Sequence, residues 1–267
     1  MKSEMRILRS VALLVSAVCC ASAELHAAAR PRVVHVFVAL ADNAHQGIVP
    51  VPATLGNGED PGRNLYWGAA FGVRTFLRKS AEWKEIAIVA NPSPLIAERA
   101  IFRHRASGTI LVADAYFGRE IMQTIADFLH AANGLGAETL LYEAPLDGAA
   151  LRISSAADLV VYVGHDGLMD FSSGQPIPFQ PGAKPGAIIL ACASKQYFAA
   201  ALKLTGSQPV LWTTNLMAPE AYTLKAALEG WILGEPAEKI RQRAGAAYAQ
   251  YQKIGMTAAL RLFSSSW

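Results

Sequence analysis

Two apolar runs without alternation stand out in the second half of the chain, DLVVYV leading into GHDG and GAIIL leading into ACAS. Residues 159–163 and 187–190 are apolar at every position, the pattern of parallel strands buried on both faces rather than of a half-wet edge. A third run, VVHVFVAL at 33–40, predicts the first strand. It is followed by ADNAHQGIVPVPATLGNGEDPG (residues 41–62), whose Gly, Pro, Asn and Asp content excludes a regular element through most of its length. Loops of that length are uncommon in compact domains and are usually functional or disordered. This one leaves the C-terminal end of a strand.

The remaining pattern alternates helices and strands. Asn64 is placed to cap a helix over LYWGAAFGVRTFLRKS, with basic residues in its last turn as the helix dipole prefers. KEIAIVA predicts a strand at 85–90 stopped by Pro92 and Pro94, followed by a basic helical piece carrying Arg99, Arg103 and Arg105. GTILVADAYFGREIMQTIADFLHAANG reads as a strand, a turn at 114–118 and an amphipathic helix ended by Gly134. ETLLYEA predicts a short strand, SKQYFAAALKLTG a helix and PVLWTTN another strand, and from 219 to 262 the pattern is helical with a Gly-Glu-Pro break at 234–236. This alternation predicts one α/β domain over 30–267, with a mostly parallel sheet, helices on both faces and a C-terminal helical extension from about residue 219.

Ahead of that domain, Lys2, Arg6 and Arg9 precede the run VALLVSAVCC and then Ala21-Ser22-Ala23. This is the layout of a secretory signal peptide over residues 1–23, with an alternative cut as late as residue 29. The expected destination is export, to the periplasm or beyond. The composition, 52% hydrophobic and 17% charged, excludes a disordered chain. Loss of residues 1–23 removes three basic residues and one acidic residue, so the formal charge of +3 falls to +1. A nucleic-acid partner is therefore not expected. No later run has 18 uncharged apolar residues, so stable membrane insertion is not expected either.

Cys19 and Cys20 leave with the signal, and Cys192 remains as the sole thiol. It cannot form an internal disulfide and is a candidate reactive group; its alternative role is that of a small hydrophobe at a strand end. Ligands of open α/β sheets bind outside the C-terminal ends of the strands, where the two apolar runs deliver His165 and Cys192. Strands about 4.8 Å apart would let imidazole and thiol face one another. A thiol attacks as thiolate, favoured by a neighbouring imidazole or by a helix N-terminus, here one that Ser194 would cap. Amides near Gly167 and Cys192 are candidate oxyanion donors. Asp42, His45, Asp166, Thr214 and Asn215 are the candidates to line a substrate cleft.

Several polar residues have competing roles. Asp166 and Asp170 flank the histidine in HDGLMD, to orient it, to bind a cation or simply to form a turn. No cofactor and no resident metal is expected, although Asp42, His45, His165 and Asp166 form a weaker His/carboxylate alternative. Asn57, Glu59, Asp60 and Asn64 lack the alternation of an EF-hand loop. His35 reads as a sheet residue, His104 and His130 as surface positions, and Tyr66 and Trp67 as either cleft or core. The tail from Gly255 to Trp267 is left open among packing on the core, docking to a partner and fraying.

The order apolar strand, Gly-His-x-Gly, loop, apolar strand, Ala-Cys resembles the caspase-like cysteine peptidases, the clan of caspases, metacaspases, legumains, gingipains and clostripain. DAYFGREIMQTIADFLHAA is similar to the segment of bacterial members in which a turn introduces the helix before the histidine strand. The resemblance covers residues 33–215 in element order and is specific around His165 and Cys192. It implies a three-layer sandwich, His165 as acid/base, Cys192 as nucleophile, amides near Gly167 and Cys192 as oxyanion hole, and a peptide or protein substrate. Two positions depart from it. Asp166 stands where the family has Gly after the histidine, and Leu190 where it has an acidic residue two before the cysteine, so no preference at the cleaved position carries over. The competing expectation is an inactive relative, or a binding module that holds its ligand with the loop at 42–62.

Overall fold

The computed structural model describes residues 30–136, 142–146, 149–153, 156–172, 177 and 180–267. The expected signal segment and the start of ETLLYEA lie outside them. In chain order the strands are β1 (Val33–Ala39), β2 (Trp83–Ser93), β3 (Ile96–His104), β4 (Ile110–Tyr116), β5 (Tyr142–Leu146), β6 (Ala149–Ile153), β7 (Leu159–Val163), β8 (Gly186–Leu190), β9 (Gln208–Thr213) and β10 (Phe263–Ser264). The helices are α1 (Val73–Arg78), α2 (Ile121–Ala132), α3 (Ser194–Thr205), α4 (Ala221–Ile232), α5 (Ala237–Gln252) and α6 (Met256–Leu262). Among the described residues no helix is long and apolar enough to cross a membrane.

Eight strands form one sheet in the order β10-β9-β8-β7-β1-β4-β3-β2, and β5 and β6 form a separate hairpin. The five central strands run parallel, while β2 and β3 at one edge and β10 at the other are antiparallel. Every residue of β1, β4 and β7 is buried, which is what their lack of alternation predicts. One face of the sheet packs on α2 and α3, where Phe37 and Tyr162 meet Phe128 and Phe198. The other packs on α1, α4, α5 and α6 through Val34, Val36, Val161 and Ile188. The result is the expected three-layer α/β arrangement, including its C-terminal helices. From β1 the chain adds β4 on one side, then returns to add β7, β8 and β9 on the other. Strand order thus reverses between β1 and β7, and the strand ends at such a point splay their loops apart to leave a crevice.

Four local expectations are corrected. The basic piece around Arg99 is β3, not a helix, because Arg99 faces Asp114 across the sheet. The Arg99 guanidinium meets Asp114 through two bonds of 2.6 and 2.8 Å, and His35 Nε2 reaches the same carboxylate at 2.8 Å. Burial opposes a charge on Asp114, but the Arg99 and His35 bonds outweigh it and hold the carboxyl below its usual range. Asp114 consequently lies inside a strand rather than in a turn. His104 is buried, packed edge-on against Trp83 and bonded to Ser107 at 2.9 Å, not a surface residue. Asn64 caps no helix. Its buried amide accepts from the Ala41 N–H and donates to the Ala41 carbonyl, stitching the long loop to the end of β1, and the helix begins only at Val73. The last residues are also structured: β10 pairs with β9, and Trp267 packs edge-on against Trp212 at 5.2 Å.

Candidate active site

His165 and Cys192 each lie two residues beyond the paired positions Val163 and Leu190 of β7 and β8. They therefore leave neighbouring parallel strands at the same level, and both line one cavity of about 300 Å³ at the point where strand order reverses. Its walls come from residues 47–51 of the loop after β1, from Leu65 and Tyr66, from Met169, and from residues 216–220 after β9. Tyr66 is thus a cleft residue. Trp67 is core, its indole N–H donating to Glu98 at 2.6 Å.

The histidine is fixed on three sides. Its Nε2 is 2.6 Å from Asp170 Oδ2, an oxygen that also accepts the Gly47 N–H at 3.3 Å. Asp170 therefore ties the imidazole to the long loop. The His165 carbonyl accepts from Tyr162 Oη at 2.7 Å and from the Gly167 N–H at 3.1 Å. Gly164, just before it, has φ of 154° and abuts the Ala39 carbonyl, a backbone state that L side chains rarely adopt. The Gly167 amide, expected as an oxyanion donor, is used in this turn, and Gly167 itself is buried against the Phe171 ring.

The half-buried Cys192 reaches the backbone of Met217, accepting its N–H at 3.4 Å and lying 3.6 Å from its carbonyl oxygen. Burial pushes the thiol above its ordinary value, the Met217 N–H pulls the other way, and the nearby Asp166 adds to the rise. Burial thus opposes the lowered pKa expected of a reactive thiol. Ser194 does not cap the following helix. Its N–H donates to Thr213 Oγ1 at 3.1 Å, and its hydroxyl donates to the Ile189 carbonyl at 2.9 Å. The residue between them, Ala193, has a left-handed φ of 46°. That conformation is uncommon for a residue with a Cβ, and it makes the passage from strand to helix sharp immediately after the thiol. Nothing in the identity of an alanine signals it.

None of the five predicted cleft residues lines the cavity. Asp42 accepts the N–H groups of Ala44 and His45 at 2.9 and 3.2 Å and contacts the His45 ring at 2.8 Å, so this pair shapes the base of the loop. Thr214 donates to the Arg261 carbonyl at 2.8 Å, and Asn215 uses its side-chain oxygen on Leu216 N and its carbonyl on Ala193 N. The five residues that follow directly, 216–220, supply the wall instead. Asp166 is fully buried behind the pair; its Oδ1 accepts the Leu168 N–H at 3.0 Å and its Oδ2 has no partner. Among the described residues no group of three or more His, Cys, Asp and Glu side chains is placed to hold a metal ion.

Fold and geometry together define an α/β protein that presents a histidine and a cysteine from adjacent strand ends into one apolar cavity. Comparison of the chain with protein-family models, with curated proteins and with solved structures finds no match.

Proposed function

We propose that the protein is an exported cysteine-dependent hydrolase, acting on an acyl donor such as a peptide through His165 and Cys192. The observation that carries this reading is their departure at one level from the paired strands β7 and β8 into a shared cavity. Because burial disfavours the thiolate, attack has the Cys192 proton pass to His165 as Sγ bonds to the substrate carbonyl carbon. Collapse of the tetrahedral species breaks the bond to the leaving amine or alcohol, which takes the proton from His165 and leaves a thioester on Cys192. Water then adds to the thioester with His165 as base, the thiol is expelled with its proton, and a carboxylic acid departs. Asp170 positions the imidazole through the 2.6 Å bond. With the Gly167 amide engaged, the Cys192 amide is the oxyanion donor we retain from the two expected. The element order that resembles the caspase-like peptidases supports a peptide as the acyl donor, and the layout of residues 1–23 supports export.

A second reading, a binding module on this scaffold, is favoured by the raised thiol and its bonds to Met217. The two are separated by measuring iodoacetamide alkylation of Cys192 from pH 4 to 10 together with release of p-nitrophenol from acyl esters. The hydrolase reading expects slower alkylation at neutral pH in His165→Ala and no burst of p-nitrophenol from Cys192→Ala. Undiminished turnover in Cys192→Ala would rule it out, and a thiol indifferent to His165 would favour the binding module.

A further inference from the structure

We infer that the cavity selects an acyl donor whose carbonyl-side group is apolar and uncharged, an inference that rests on the hydrolase reading of His165 and Cys192. The two loops that build its walls contribute Ile48, Val49 and Val51 on one side and Leu216, Met217 and Pro219 on the other. Three apolar residues at its mouth face solvent, with exposures of 84% for Val49, 66% for Leu216 and 41% for Met169. Loops otherwise rich in Gly, Pro and Asn thus place large aliphatic side chains in water beside the thiol, where an apolar ligand would cover them.

The charges argue the same way. Among the described lining residues there is no lysine or arginine, and the one carboxylate is Glu220. Its Oε2 accepts from Tyr222 Oη at 2.8 Å and from Gln252 Nε2 at 3.1 Å, so it is committed to α4 and α5. An acidic group entering here would lose its water and find no lysine or arginine, only the His165 imidazole that Asp170 already engages. A basic one would have to draw Glu220 from those two bonds, whereas an apolar one gains burial directly. A volume of about 300 Å³ lies at the small end for ligand cavities. It suits one large aliphatic or aromatic side chain, or a short alkyl chain, beside the reacting carbonyl. The apolar group therefore belongs either to a peptide residue or to a fatty-acyl ester.

The test measures second-order rates of Cys192 modification by intact mass, using the chloromethyl ketones of N-acetyl-leucine, -phenylalanine, -aspartate and -lysine and an octyl chloromethyl ketone. Iodoacetamide reports the reactivity of the bare thiol. Modification by the leucine, phenylalanine or octyl reagent should exceed that by the aspartate and lysine reagents at least about tenfold. Replacing the exposed rim residues, Val49→Ser with Leu216→Ser, should shrink that ratio to about threefold or less. A fastest leucine or phenylalanine reagent identifies a peptide donor, and a fastest octyl reagent a fatty-acyl ester; both support the inference. Equal rates overturn it while the hydrolase reading stands, and a fastest lysine reagent overturns it in favour of Glu220 as the determinant. Failure of every reagent, iodoacetamide included, removes the hydrolase reading and this inference together.

Discussion

Asp166 is buried with half of its hydrogen-bonding capacity unmet, and replacing it with asparagine offers a direct measure of what that burial costs. Its side chain is sealed from solvent, Oδ1 accepts only the Leu168 N–H, and Oδ2 has no partner. Burial pushes its carboxyl up to about 7; the Leu168 bond opposes the rise and Asp170 adds to it. In the unfolded chain the same group titrates near 3.9. Between those values the folded protein holds a proton that the unfolded chain has released, so stability falls as pH rises. The contribution is fully present below about pH 4 and is lost as pH passes through 7. At about 1.36 kcal/mol per unit, a difference of roughly three units is worth about 4 kcal/mol, of which about 3 kcal/mol falls between pH 5 and pH 8.5. Asp166→Asn keeps an acceptor for Leu168 and abolishes the titration. Urea denaturation of both proteins across that range should show the variant gaining on the wild type by about 3 kcal/mol toward alkaline pH. Parallel stability curves would refute the argument, since they would mean that Asp166 ionises as readily in the fold as outside it.

Asp170→Asn weakens the hold on the His165 ring and on Gly47, so turnover of a p-nitrophenyl ester should fall about tenfold or more, with faster proteolysis of the loop at 47–51. Asp114→Ala strands the Arg99 guanidinium and the His35 ring inside the sheet; a loss of about 3–5 kcal/mol is expected in denaturant titration, whereas a small loss would show that the network is relaxed by water. Removing residues 263–267 takes away β10 and the Trp267 ring, and should red-shift the Trp212 emission and lower the thermal midpoint by several degrees.

The central strands were legible because a strand buried on both faces has no alternation to hide, and Leu159–Val163 and Gly186–Leu190 carry their chemistry at their ends. The site was legible to the same extent: His165 and Cys192 could be placed from strand patterning alone. The edge was not. Three arginines at 99, 103 and 105 fit a basic helix locally, and only Asp114, fifteen residues away and facing Arg99 across the ladder, makes that segment a strand. Asn64 is a good helix cap by type, yet Ala41, twenty-three residues earlier, takes both sides of its amide. The cavity wall was missed for a related reason. Polar residues at strand ends drew attention to Thr214 and Asn215, while the residues that face the thiol are the aliphatic ones that follow. The left-handed turn at Ala193 has no signature at all.

One six-residue stretch, HDGLMD, holds two carboxylates that their surroundings drive apart in behaviour. Asp170 is accessible, touches the imidazole and braces the long loop, whereas Asp166 is sealed beneath the site and carries a proton over part of the neutral range. The second is coupled to Cys192, since burial raises the Cys192 thiol and an ionised Asp166 raises it further. Acidification below about pH 7 neutralises Asp166 and removes that part of the opposition to a thiolate, just as falling pH removes hydroxide. The two effects offset one another, so alkylation of Cys192 should fall less steeply toward acid than that of a simple thiol. In Asp166→Asn the opposition is absent at every pH, so the apparent pKa of Cys192 should drop and its rate profile should regain the simple form. An unchanged profile would mean that Asp166 serves only to shape the turn that carries His165.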